Sequence, residues 1–203
     1  MAGTLPHAVF VETDADGEGG CAAYAAELPG CSSFAPTDEE AARAISTRVV
    51  EFMRWLREKG EAAPALLGDN WYEVERAPAR EGGRVRAAFS LDELAPSGEE
   101  WATWLRWMEL AREELADAID ATNAGGEPAL ERIATQDDAL ADDLGAAPAA
   151  HPDNLVDRLY AARDRLTAAL VTAGRDGELV RRAIRLAIAD DLHAAEQLRG
   201  ADR

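Results

Sequence analysis

The chain has 203 residues, with 39 Asp and Glu against 21 Lys and Arg, and a formal net charge of −18. Every apolar stretch is interrupted by charge well before the roughly 18 residues that a membrane span needs, and no run of clustered Lys and Arg is present to neutralise phosphates. Membrane insertion and nucleic-acid binding are therefore not expected. The first residues lack a basic region followed by an apolar core, so no secretory signal is read and the cytoplasm is the expected compartment. Lys59 is the single lysine, and the Ala- and Arg-rich acidic composition reads as base bias in the coding sequence rather than as mechanism.

In chain order, the apolar run Ala8-Val9-Phe10-Val11 reads as a strand and is followed by an acidic glycine-rich turn, Asp14 to Gly20. A second strand from Cys21 leads into Leu28-Pro29-Gly30-Cys31. There proline fixes one turn dihedral and glycine accepts positive φ at the next position, which predicts a tight hairpin. Cys21 and Cys31 then lie out of register and are expected as buried or half-buried thiols, not as a disulfide. Thr37-Asp38-Glu39-Glu40 has the residues of a helix N-terminus: a hydroxyl to accept the free amides and carboxylates to complement the dipole. The helix it opens carries Ala41, Ala44, Ile45, Val49, Phe52, Met53 and Leu56 at spacings of three and four, and Gly60 ends it. Trp71–Glu75 and Arg84–Phe89 read as two further strands, so that a small α+β unit closes near residue 90.

Residues 91–98, with Pro96-Ser97-Gly98, read as a linker, and beyond them every periodic stretch is helical. Trp101, Trp104, Leu105, Met108, Ala111, Leu115 and Ile119 form one stripe, and Leu130, Ile133, Asp137, Leu140 and Leu144 a second. A third runs from Leu155 to Leu170 in a helix whose first turn admits Pro152, and the fourth holds Leu179, Ala183, Leu186, Ala187 and Leu198. Four amphipathic helices with short or moderate connections imply a four-helix bundle. Trp107 falls off the first stripe, where it either faces another domain or subunit or is simply exposed. His7 and His151 are expected at the surface. The fold class is thus α+β, a small α+β domain over residues 1–90 followed by an all-α bundle over 99–203.

Residues 7–90 resemble the HicB-like antitoxin domain. The likeness is carried by the acidic glycine turn, Leu28-Pro29-Gly30-Cys31, and Thr37-x-Glu39-Glu40-Ala41 opening a helix that ends at Gly60. It implies a compact module that binds a protein partner and often dimerises. Residues 99–203 resemble the DinB-like bundle, through Trp104 to Glu109, Leu130-Glu131-Arg132-Ile133 with Asp137-Asp138, and Arg181 to Leu198. That resemblance implies metal-dependent hydrolase or thiol-transferase chemistry, with one histidine on the second helix and two at i, i+4 on the fourth around a divalent metal.

This chain departs from that ligand set. Arg132 stands at the second-helix position, and the fourth helix offers Ala189 with His193 in one register or Asp190 with Ala194 in the other. His193 has two readings, a relict metal ligand or a polar residue near a helix end. Asp137 and Asp190 lie on or beside apolar stripes, where a carboxylate must be paired or neutralised. Each is read either as a substitute oxygen ligand or as the partner of an arginine such as Arg132. The candidate polar site is therefore Arg132, Asp137, Asp190, Asp191 and His193. No phosphate-binding glycine loop, Gly-x-Ser-x-Gly or Cys-x-x-Cys occurs. The preferred reading is a binding or scaffold protein without a cofactor, acting with a protein partner or as a homodimer. The alternatives are a metal-dependent enzyme using Asp190 or Asp191 with His193, and a toxin-neutralising protein.

Overall fold

The computed structural model describes residues 7–64, 71–79, 86–122, 127–177 and 179–201. The chain divides into two compact units, Met1–Leu91 and Asp92–Arg203. The fold is α+β.

In the first unit, strands β1 (His7–Thr13), β2 (Cys21–Ala25), β3 (Ser32–Ala35) and β4 (Trp71–Pro78) form one sheet in the order β3-β2-β1-β4, with helix α1 (Asp38–Glu58) between β3 and β4. β1–β2 and β2–β3 are antiparallel, whereas β4 runs parallel to β1, as the crossover through α1 permits. The Leu28–Cys31 turn is closed by the Cys31 amide donating to the Leu28 carbonyl at 2.9 Å, and Gly30 has φ of 90°. At the start of α1 the Thr37 hydroxyl accepts from the Glu40 amide. At its end Gly60 (φ 80°) lets the amides of Gly60 and Glu61 reach back to the Arg57 and Leu56 carbonyls. Cys21 and Cys31 are both free and buried, and burial pushes the Cys31 thiol far up, which favours the protonated form.

The register gives the sheet two faces. Val9 opposes Ala25, Val11 opposes Ala23, and Ala23 opposes Ser33, whose hydroxyl donates to the Ala41 carbonyl of α1. These residues therefore share the helix-covered face. Phe10, Glu12, Ala22, Tyr24 and Phe34 occupy the other face. Among the described residues no helix of this unit covers that face. Its cover is the segment of residues 86–89, which the sequence reads as part of a strand over 84–89. Residues 84 and 85 lie outside the described residues, and 86–89 are not a strand. The physical reason is Glu12, fully buried at the middle of the sheet. Its carboxylate accepts from the Ala87 amide (2.6 Å), the Arg86 Nε (3.0 Å) and the Tyr24 hydroxyl (2.8 Å), and Arg86 also donates to the Tyr24 oxygen. The backbone amide that a strand ladder would use is spent on this carboxylate, while Phe89 stacks on Phe10 with ring centroids 4.7 Å apart. His7, expected at the surface, is buried against Trp71 at a ring distance of 4.6 Å, because the parallel register sets the two side by side.

In the second unit a 3-10 turn (Ser90–Glu93) overlaps the boundary and is followed by α2 (Gly98–Ala121), α3 (Glu127–Asp143), α4 (Leu155–Ala173) and α5 (Val180–Ala201). α2 packs on α5, and α3 packs on α4 and α5. Leu115, Ala118, Leu130, Ile133, Ala134, Leu159, Ala162, Ala194, Ala195 and Leu198 form a core to which all four helices contribute. Ser97 and Glu100 make a reciprocal capping box at the start of α2. The segment expected as a linker is thus structured, and its Asp92 is buried, pairing with Arg185 of α5 at 2.6 Å. α4 starts at Leu155 instead of near Pro152, because the Asn154 side chain accepts from the amides of Val156 and Asp157 and sets the cap there. Trp107 is fully buried, correcting its expected position off the stripe. The buried face of α2 is centred on Trp104, Trp107, Met108, Ala111, Leu115 and Ala118, and Trp101, Leu105 and Ile119 lie at its margins. Among the described residues no helix is long and apolar enough to cross a membrane.

The Leu28–Cys31 turn yields a direct test. Replacing Gly30 with alanine forces a Cβ into left-handed backbone and should lower stability by about 1–2 kcal/mol, read as the shift in urea midpoint at unchanged slope.

Candidate functional site: a buried charge quartet

Four buried charged side chains, one from each helix of the bundle, lie in the apolar stripes: Arg112 on α2, Asp137 on α3, Arg163 on α4 and Asp191 on α5. Helical spacing puts Arg112 one residue after Ala111 and Arg163 one after Ala162, so both lie within the buried faces of their helices. The four meet in the core. Arg112 donates through Nη2 to Asp137 Oδ2 at 2.9 Å and through Nε to Asp191 Oδ2 at 3.1 Å. Arg163 donates through Nε and Nη2 to the two Asp137 oxygens, at 2.9 and 3.2 Å, and its Nη1 lies 3.1 Å from Asp191 Oδ2. Arg163 Nη2 also reaches the Ala187 carbonyl of α5 at 3.4 Å. Asp137 and Asp191 are 1% and 0% exposed, so this is an ion cluster out of water.

Two guanidiniums against two carboxylates leave the cluster formally neutral, which is what permits four charges in one core. The balance within it is uneven. Burial pushes the Asp191 carboxyl up to about 6; Arg163 and Arg112 pull it down, and the nearby Asp137 and Asp190 carboxylates push it further up. Desolvation also lowers the Arg112 guanidinium, whereas the carboxylates around Arg163 hold its guanidinium above the ordinary value although burial opposes them. An oriented Arg–carboxylate array of this kind fixes helix register and rotation, because a helix turned away would leave a charge stranded in the core.

Of the residues expected at the site, Asp137 and Asp191 are brought together. Arg132 is not: it is exposed on the outer face of α3, and the cations that pair with Asp137 are Arg112 and Arg163. Arg132 is five residues before Asp137 on α3, more than a helical turn away and on the opposite side of the stripe. Asp190 is half-buried beside the quartet and acts on Arg163 through its charge. His193 is half-buried one turn before Gln197, with its Nε2 2.9 Å from the Gln197 amide nitrogen. Arg112 and Arg163 escaped the sequence reading, although a signal for them was present: each interrupts an apolar stripe with a charge opposite to those of Asp137 and Asp191.

Around the quartet, further arginines tie helix ends to carboxylates. Arg182, fully buried, pairs with Asp143 at 3.0 Å, and Arg181 lies over the Trp104 ring at 4.5 Å. Arg165 joins α4 to the C-terminal end of α3 through Asp138 and Asp142. Among the described residues no group of three or more His, Cys, Asp or Glu is placed to hold a metal ion. The quartet's own donors do not fit one either, since two guanidiniums already fill the space between its carboxylates.

Two outcomes are expected of substitutions here. Asp137→Asn removes the carboxylate that both guanidiniums share and should cost about 3–5 kcal/mol, whereas the combined change Arg112→Met, Asp137→Leu, Arg163→Met and Asp191→Leu should be neutral or stabilising by about 1–4 kcal/mol; chemical denaturation reads both. The second concerns pH. The folded pKa of Asp191 lies above its ordinary value of 3.8, so the folded state holds an extra proton between about 4 and 6. The stability carried by this group is present at low pH and lost as pH rises through 6. Thermal melts from pH 5 to pH 8 should therefore show wild type falling relative to Asp191→Asn. Equal slopes would refute the shift.

Comparison of the chain with protein-family models, with curated proteins and with solved structures finds no match.

Proposed function

We propose that this protein works by binding a macromolecular partner, without catalysis. On this reading its first unit is a HicB-like binding module, and its helical unit is a DinB-like bundle in which an ion quartet stands in place of a metal centre. The observation that carries the proposal is the occupation of both core carboxylates. Asp137 accepts from both guanidiniums, and Asp191 accepts through Oδ2 from Arg112 with Arg163 Nη1 at 3.1 Å; its Oδ1 makes no hydrogen bond but lies 3.0 Å from Arg112 Nη2, so a cation drawn to either carboxylate would meet the two guanidiniums. A metal-activated water needs such a position. His193, the imidazole nearest in sequence, has its Nε2 turned to Gln197 on its own helix. A site whose carboxylates are already ion-paired within the core offers rigidity rather than reactivity.

The first unit supports the same reading, since the Leu28–Cys31 turn and the Thr37 cap hold a sheet and helix in which Glu12, Tyr24 and Cys31 are all buried. None of these groups is exposed to a substrate.

Metal content tests the proposal. Protein purified from medium supplied with zinc, nickel and manganese, without chelator, should carry well under one equivalent of any of them by elemental analysis, and His193→Ala should not change that value. A stoichiometric metal lost in His193→Ala would establish the metal-dependent reading instead.

A further inference from the structure

Three polar atoms of the quartet make no hydrogen bond to any described residue: Arg112 Nη1, Arg163 Nη1 and Asp191 Oδ1. All three side chains are more than nine-tenths buried, Arg112 being 8% exposed, Arg163 6% and Asp191 0%. Leaving a charged donor or acceptor unmet is costly, and the cost rises in a low-dielectric core. The shortfall is one-sided. Asp137 accepts on both of its oxygens, through Oδ2 from Arg112 and Arg163 and through Oδ1 from Arg163 again, so the unmet capacity gathers on the Asp191 side of the cluster.

The three atoms also stand close to one another. Arg112 Nη2 lies 3.0 Å from Asp191 Oδ1, and Nη1 is the neighbouring nitrogen of the same guanidinium. Arg163 Nη1 lies 3.1 Å from Asp191 Oδ2, and Oδ1 is the other oxygen of the same carboxylate. Covalent geometry therefore keeps each Nη1 within two hydrogen-bond lengths, about 5.6 Å, of Asp191 Oδ1. A small polar group resting on that oxygen is within reach of each guanidinium.

The chemistry of the three atoms selects the occupant. Two are cationic donors and one is a carboxylate oxygen, so the occupant has to accept twice and donate once. A metal ion or an ammonium group would meet two guanidiniums, and an anion would meet the carboxylate. An apolar group would satisfy none of the three. Water has two lone pairs and two O–H bonds, and about three hydrogen bonds are what a buried water makes.

The geometry points to a structural water in the core of the helical unit, its oxygen accepting from Arg112 Nη1 and Arg163 Nη1 and one of its O–H groups donating to Asp191 Oδ1. It joins side chains of α2, α4 and α5 at a single point. Turning any of these helices then breaks a water contact as well as an ion pair. This site goes beyond the binding role proposed above and does not depend on it.

Two measurements on the full chain test it. Magnetic relaxation dispersion of solvent oxygen counts long-lived internal waters, and wild type should hold about one more than the apolar replacement Arg112→Met/Asp137→Leu/Arg163→Met/Asp191→Leu, with circular dichroism melts confirming that the variant folds. A high-resolution crystal structure of the wild type, grown in bromide, then locates the water. Its oxygen should lie about 2.7–3.2 Å from Asp191 Oδ1 and from the Nη1 atoms of both arginines. An equal water count in the two proteins overturns the proposal, as does a wild-type map with no water there or with one that reaches fewer than all three atoms. An anomalous bromide peak against the two Nη1 atoms also overturns it, and would assign the site to a small anion.

Discussion

Four charges that cannot be left alone organise the helical unit. Taking a carboxylate or guanidinium out of water costs several kcal/mol even after relaxation, and the cost is recovered only if the partners meet in good geometry. Arg112, Asp137, Arg163 and Asp191 come from four different helices, so the condition binds all four at once. Apolar packing alone would let one helix slide or turn by a residue at modest cost. With the quartet in place, such a slip strands a charge. The cluster therefore contributes more to the uniqueness of the bundle than to its net stability, and a well-packed apolar replacement would match or exceed it in stability.

The first unit repeats the device at smaller scale. Glu12 is buried in the central strand β1, and its oxygens are satisfied by Tyr24, Arg86 and the Ala87 amide. That requirement draws residues 86–89 over the sheet face opposite α1, and Phe89 stacks there on Phe10. In both units arginine, not lysine, makes the buried contacts. Its planar fork satisfies two carboxylate oxygens, or two carboxylates, from fixed directions, which a flexible ammonium group does less well.

This division of labour bears on function. Among the described residues the four core charges of the bundle pair with one another, and a cation drawn to Asp137 or Asp191 would meet two guanidiniums.

Much of the local structure could be read directly from the residues. Pro29-Gly30 allows little but a tight turn, Thr37 with its following acids marks a helix start, Gly60 a helix end, and the three- and four-residue spacings of apolar side chains mark the helices. These are local effects, decided within a turn or two of chain. Cap competition was already harder: Asn154 overrode Pro152, and the Ser97–Glu100 capping box starts α2 inside a segment read as linker. Asp137 was legible as a buried carboxylate in need of an arginine, because its place on an apolar stripe is a property of one helix. Which arginine answers it was not, since Arg132 is closer along the chain but faces water, while Arg112 and Arg163 are 25 and 26 residues away and meet it in space. The same holds for Glu12 and Arg86, 74 residues apart. The sequence by itself determined the helices and the first strands, their order, and the presence on an apolar stripe of a carboxylate, Asp137, that must be paired. Only the tertiary structure decided the pairs, because an ion pair in a core depends on helix rotation and packing distance, and neither is encoded in the spacing of any single segment.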